Sequence, residues 1–154
     1  MAHRSRMHEE MIAHERELYS GRFWGLVGID TLEMEPGRVV NRVRLRADHL
    51  NYNDVVHGGV ISTLIDSAAG GAVRSLRSSA EIAAHPHATS DLHVVFLSPV
   101  TGSEVTAVAS VVRAGRTAVF VEVAVTDDRA RLVARGMVTF IIGAARRQPG
   151  AAAE

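Results

Sequence analysis

The stretch His57-Gly58-Gly59-Val60-Ile61-Ser62-Thr63-Leu64-Ile65-Asp66-Ser67-Ala68-Ala69-Gly70-Gly71-Ala72 decides the fold. From Val60 to Leu76 there is no Pro, and apolar residues recur at helical spacing. That predicts one long helix beginning just after the Gly pair. The helix is crowded with small residues from Ser67 to Ala72. Gly70 and Gly71 each cost about 1 kcal/mol against Ala in a helix interior. A close approach of the helix to a sheet is the simplest feature that would offset this cost.

Outward from the helix the chain reads as strands. On the C-terminal side, residues 78–86 read as a loop ending in His85-Pro86-His87. Then Thr89–Phe96, Glu104–Arg113, Thr117–Thr126 and Leu132–Ile142 are rich in Val, Ala, Thr and Phe. Turn signals at Ser98-Pro99, Ala114-Gly115 and Asp127-Asp128 separate them, and connections this short permit only antiparallel neighbours. On the N-terminal side, residues 38–46 alternate as a strand with three Arg on its polar face, and Glu35-Pro36-Gly37-Arg38 is a turn. The apolar run Phe23–Ile29, continuing to Glu35, reads as a first strand. Residues 8–20 read as a short helix stopped by Gly21.

The order of helix, two strands, long helix and four strands predicts an α+β arrangement, with one helix across one face of an antiparallel sheet. Residues 1–21 are taken as an N-terminal helical extension, 22–143 as the domain and 144–154 as a flexible tail. An uncovered sheet face or edge strand would call for a partner subunit.

A chain of 154 residues allows one domain, and 47% hydrophobic with 22% charged residues excludes a disordered chain. Seventeen acidic residues balance seventeen basic ones, leaving no basic field for nucleic acid or an anionic membrane. Every cation is Arg, since the chain has no Lys. A Schiff-base lysine, a P-loop lysine and a pyridoxal phosphate site are thereby excluded. It has no Cys, so disulfides and thiolate chemistry are excluded too. No apolar run approaches the roughly 20 residues that span a bilayer, and the charged N-terminus is not a signal peptide. The expectation is a cytoplasmic domain.

The candidate chemistry lies around the start of the long helix. The first N–H groups of a helix lack internal partners, and the helix dipole favours negative charge there. Gly58 and Gly59 present no side chain, so a ligand oxygen can approach their backbone as in an oxyanion hole. The alternative is a tight loop-to-helix turn. Asp66 sits among Ile65 and small residues and calls for a partner or a chemical role. Eight helical residues separate Gly58 from Asp66, roughly 12 Å of rise. One bound carbonyl therefore cannot meet both groups in one chain, and joint action requires two chains about a two-fold axis. Asn51 either positions water or substrate or closes an Asx-turn. His57 is either a general base or a loop cap.

These residues resemble the hotdog-fold acyl-CoA thioesterases of the PaaI type. In that pattern an Asn is followed after six residues by His-Gly-Gly, with Asp nine residues beyond the His. Asn51, His57-Gly58-Gly59 and Asp66 match each part. Phe23–Ile29 resembles the family's first strand, and Thr89-Ser90-Asp91-Leu92 through Phe96-Leu97-Ser98-Pro99-Val100 its T-x-D-L…F-L-x-P-V strand. Arg113-Ala114-Gly115-Arg116 resembles its R-x-G-R hairpin.

The resemblance implies a long central helix wrapped by a curved antiparallel sheet, acting as a homodimer or homotetramer with sites at the dimer interface. It implies hydrolysis of an acyl-CoA. Gly58 N–H would polarise the carbonyl, and Asp66 of the other chain would act as base or nucleophile. Asn51 and His57 would position water and thioester, Thr89 would lie near the water, and Arg113, Gly115 and Arg116 would hold the CoA moiety. No metal and no separate cofactor are implied. One departure stands out: the family's Gly three residues before the His is Asp54 here, a residue that tolerates left-handed backbone better than most.

Phe23, Trp24 and Val60 are candidates for an acyl pocket or for core. A non-catalytic acyl-CoA binder or sensor is the competing function, against which Asp66 argues. A dehydratase or hydratase of hydroxyacyl thioesters would need a different placement of His and acid. His85, His87 and His93 lack acidic ligands at metal-site spacing.

Overall fold

The structure is a computed structural model that describes residues 21–144 together with Glu9, Ile12, Ala13, Glu17 and Tyr19. Those five isolated residues are helical. The rest of that stretch and residues 145–154 of the expected tail lie outside the described residues.

The long helix, α2 (Gly58–Arg74), lies against a six-stranded antiparallel sheet. The strands are β1 (Ile29–Glu35), β2 (Arg38–Arg44), β3 (His87–Phe96), β4 (Glu104–Ala114), β5 (Ala118–Asp127) and β6 (Leu132–Ile142). Their order across the sheet is β1-β2-β4-β5-β6-β3, so β1 and β3 are the edges. This is the hotdog arrangement. The inward residues Val105, Ala107, Ala109, Val121, Val123, Val125, Ala134 and Val138 alternate along the strands and bury against Leu64, Ile65, Ala68 and Ala72 of α2.

The small residues of α2 meet the sheet as expected. A Cβ on Gly71 would lie 3.4 Å from Val39. The reciprocal site is tighter: a Cβ on Gly136 of β6 would lie 2.6 Å from Ile65 Cγ2, so the helix side chain occupies the space Gly136 leaves. Register shifts at Thr31/Glu33, Thr89/Asp91 and Val111/Arg113 mark bulges, which bend strands and increase the twist that wraps the sheet around the helix. On the polar face of β2, Arg42 lies between Asp30 (3.2 Å) and Glu104 (3.7 Å). Arg46 falls beyond the strand and donates to the Leu26 carbonyl and Asp48.

Two local expectations are corrected. Phe23–Val27 is a short helix, α1, and the first strand begins only at Ile29. Gly28 takes φ 75° and its N–H caps the Trp24 and Gly25 carbonyls, a left-handed stop that separates helix from strand. Trp24 packs on Tyr19 at 4.2 Å between ring centroids, and Tyr19 accepts from Arg74 at 2.7 Å. Phe23 and Leu26 face solvent in the chain. Residues 78–86 are likewise not all loop, because Ser79–Ala84 forms helix α3. Ser78 and Glu81 close a capping box at its start, satisfying both orphan donors.

Candidate active site

The loop before α2 is built by its own polar side chains. Asn51 Oδ1 accepts from the N–H groups of Asn53 (2.9 Å) and Val55 (3.4 Å), so its oxygen is engaged in the turn. The N–H of Asp54 donates to the Asn51 carbonyl, and Asp54 adopts φ 56°, the left-handed backbone a Gly would supply. His57 N–H donates to the carbonyl of buried His49, fixing the loop on the short 3₁₀ turn Ala47–His49.

His57 is the N-cap. Its Nδ1 accepts from Gly59 N–H at 2.9 Å, while its carbonyl accepts from Val60 N–H. With Nδ1 accepting, the proton of the neutral ring sits on Nε2. Two of the first three helical N–H groups are thereby satisfied. The Gly58 N–H, first in the helix, has no hydrogen-bond partner among the described residues. Beside it lies the Phe96 ring, 3.2 Å from where a Gly58 Cβ would stand.

Asp66 is half-buried on the long helix, as are Ser62, Thr63, Ser67 and Gly70 near it. Its Oδ1 accepts from Thr89 Oγ1 at 2.7 Å, so the edge strand fixes one carboxylate oxygen, and Oδ2 has no hydrogen-bond partner among the described residues. The β3 bulge follows immediately, and Ser90 Oγ donates to the Thr139 carbonyl. The structure thus brings Asp66 to Thr89, and Asn51 and His57 to the loop at Gly58.

Arg113, Gly115 and Arg116 form a separate group. Gly115 N–H closes the tight β4–β5 turn on the Ala118 carbonyl. Gly115 and Arg116 line a cleft of about 720 Å³ with Val73, Leu76, Arg77 and His85, at the far end of α2. Val73 lies fifteen residues beyond Gly58, roughly 22 Å of helix rise, so in one chain this cleft is remote from Gly58. Arg77 donates to the carbonyls of Glu81 and His85, which holds α3 on the rim. Of the three histidines before and within β3, His85 contacts the Gly143 carbonyl (3.1 Å), His87 lies edge-on to Phe140, and His93 pairs with Met137 of β6.

Sequence reading missed the apolar residues beside Gly58. Val55, Val56, Ile61, Phe96, Leu97 and Val100 line a cleft of about 310 Å³ there, whereas Phe23, Trp24 and Val60 do not. These residues come from three separate segments, and only the Phe-Leu pair within the T-x-D-L…F-L-x-P-V stretch hinted at them.

Comparison with known proteins agrees with the fold. A family model described as Thioesterase superfamily matches residues 53–134, more than half of the chain. Acyl-coenzyme A thioesterase 13 from Homo sapiens is 26% identical over 117 residues, covering 75% of this chain and 80% of that protein. The solved structure of a conserved protein from Pseudomonas aeruginosa has 30% identity and a TM-score of 0.72, covering 78% of this chain and 92% of that one. A hypothetical thioesterase from Streptococcus pneumoniae, solved with coenzyme A, has 25% identity and a TM-score of 0.68, covering 78% and 89% of the two chains. A long helix across a six-stranded antiparallel sheet thus coincides with the family match, and the chain belongs to the thioesterase superfamily.

Proposed function

We propose that the protein hydrolyses an acyl-CoA thioester to the free acid and CoA. The Gly58 N–H polarises the carbonyl, and Asp66 of the partner subunit acts as base on water or as nucleophile. The observation that carries this reading is the Gly58 N–H, without a partner among the described residues, at the positive end of a 17-residue helix. Such a donor stabilises the oxyanion that forms when the carbonyl carbon is attacked.

In the general-base route, the partner's Asp66 takes a proton from water as its oxygen bonds to the carbonyl carbon. The tetrahedral intermediate collapses, the C–S bond breaks, and the proton passes to the departing CoA sulfur. In the nucleophilic route the carboxylate bonds to the carbonyl carbon, the C–S bond breaks and CoA leaves as its thiolate; water then cleaves the resulting anhydride, freeing the acid and Asp66 and supplying the proton that the thiolate takes up. Thr89 holds the carboxylate in either case. Asn51 and His57 hold the loop through Oδ1 and Nδ1, which leaves the Asn51 amide N–H groups and His57 Nε2–H to face water or thioester. Arg113, Gly115 and Arg116 would take the CoA end.

The two-chain requirement is supported by the open edge of the sheet. The ten-residue strand β3 is an edge with Leu92, Val95 and Phe96 exposed, which favours pairing with another strand. Antiparallel pairing of β3 with its own copy would bring the Gly58–Phe96 side of one chain toward the Asp66–Thr89 side of the other.

Thiol release from a panel of acyl-CoAs, with Asp66→Ala in parallel, tests the proposal. Turnover lost in the variant, with CoA binding retained, is the expected result. Tight acyl-CoA binding by wild type without turnover would make the protein a sensor instead.

A further inference from the structure

We infer that His49 is a positioning residue for the reaction: its buried neutral imidazole holds the hairpin that places the Gly58 N–H, and protonation of the ring releases that hairpin. This inference rests on the thioesterase reading above and adds to it a residue that touches neither substrate nor water.

Residues 49–57 form a small antiparallel hairpin. Leu50 bridges Val56, Asn51 N–H donates to the Val55 carbonyl at 2.8 Å, and His57 N–H donates to the His49 carbonyl at 2.8 Å. One arm therefore begins at His49, and the other ends at His57, the N-cap of α2. Gly58, with the proposed donor, is the next residue. The second arm is anchored by Val56 N–H on the Val100 carbonyl at 3.0 Å. The first arm is anchored by the His49 side chain, which is 4% exposed. Its Nδ1 accepts from the Arg46 N–H at 3.2 Å and closes the 3₁₀ turn Ala47–His49.

An accepting Nδ1 puts the proton of the neutral ring on Nε2. Nε2 is shielded from solvent, with the Val27 carbonyl of α1 facing the ring and Asp48 Oδ1 4.0 Å away. A second proton would go to Nδ1 and set two N–H groups against each other. The Arg46 N–H would lose its acceptor, and a cation would be created where burial, then the Arg46 guanidinium, disfavour it against a smaller pull from Asp48. Those two are the charged groups acting on the ring. Helix α1 brings no titratable side chain, and His57 of the hairpin turns its own ring to Gly59. Relief requires the ring to move or the turn to open, and either displaces the carbonyl that holds His57 N–H. An oxyanion donor acts only from its aligned position, so the loss falls on kcat.

The test is kcat and KM against pH for the full chain, with an acyl-CoA that wild type turns over. It compares wild type with His49→Asn, His49→Gln and His49→Leu, each assayed below its melting temperature. Asn carries an acceptor oxygen at the Nδ1 position and does not titrate, Gln carries its oxygen one bond further out, and Leu has no acceptor. At pH 8, His49→Asn should stay within about threefold of wild type, while His49→Gln and His49→Leu should lose about tenfold or more in kcat with KM within about threefold. Toward pH 5, wild-type kcat should fall about twofold or more further than that of His49→Asn, since only wild type takes up the proton on this ring. NMR supplies a readout that needs neither turnover nor a folded Leu variant. The His57, Gly58 and Gly59 amide signals should shift with the midpoint of the His49 ring in wild type, and that step should be missing in His49→Asn.

Equal kcat in all four proteins, with only the melting temperature altered, would make His49 purely structural and overturn the inference. So would amide signals that stay in place through the His49 titration. An inactive wild type would overturn the thioesterase reading and this inference with it, a result distinct from an active enzyme whose kcat is indifferent to residue 49.

Discussion

Thr89 donates its hydroxyl to Asp66 Oδ1 over 2.7 Å, joining the edge strand to the middle of the long helix. A hydrogen bond to a carboxylate contributes about 1.5–3 kcal/mol. If it holds the reacting carboxylate in place, Thr89→Val should lower kcat by roughly 10- to 100-fold. Thr89→Ser keeps the hydroxyl and should stay within about threefold of wild type. Equal damage by both substitutions, or by neither, would show that the bond has no part in positioning Asp66.

Asp54 occupies left-handed backbone at φ 56° in the loop that carries Gly58. Asp54→Gly should leave thermal stability unchanged or raise it, while Asp54→Ala should cost about 1 kcal/mol in chemical denaturation. Greater stability of the Ala variant would contradict the backbone assignment.

Gly136→Ala would place a methyl group into Ile65, and overpacking of this kind costs about 1–3 kcal/mol. Ile65→Ala, which removes the Cγ2 methyl that faces Gly136, should also destabilise on its own. The double variant should be more stable than the sum of the two single losses, because the smaller side chain makes room for the new methyl. Additive losses would mean the two residues are not in contact.

Two histidines set an acid limit. Burial, then the neighbouring Arg46 charge, holds the His49 imidazole below the usual histidine range. Burial, then Arg74 and Arg77, does the same for His87. The unfolded chain therefore takes up protons first, near pH 6.5. The contribution to stability is complete above that value and is lost as pH falls through the folded-state pKa values. Proton NMR should find both rings titrating below 6.5, and melting temperature should decline from pH 7 toward pH 5. Titration of either ring above 6.5 would contradict its burial.

The long helix and the four C-terminal strands were legible because each is long enough to show its period, and the turns between them carry Pro, Gly or Asp. Five residues at Phe23–Val27 are too few to show a helical period, and their apolar composition passes for a strand until Gly28 is taken as a helix stop. Ser78 and Glu81 did carry a readable signal, since Ser-x-x-Glu is a helix start. The site was legible where it follows one segment, as in the eight-residue offset of Gly58 and Asp66. It was not legible where distant segments meet, because single-chain spacing does not show that Phe96 would cover Gly58 or that Val55 and Leu97 would share a cleft with it.

In the proposed reaction Gly58 of one chain and Asp66 of its partner make one site, and complementation between inactive variants probes that pairing. Asp66→Ala removes the carboxylate. Gly58→Pro removes the N–H at the first helical position, where Pro is well tolerated, and His57 already has the extended backbone that precedes Pro. Phe96 is half-exposed and can yield to the added ring. Each variant alone should be inactive in thiol release. Unfolded together and refolded as a mixture, they should regain roughly a quarter of wild-type activity, since half the pairs are mixed and each mixed pair holds one intact site. A mixture as inactive as its parents, with mixed dimers verified by mass spectrometry, would show that the two groups do not act across the subunit boundary.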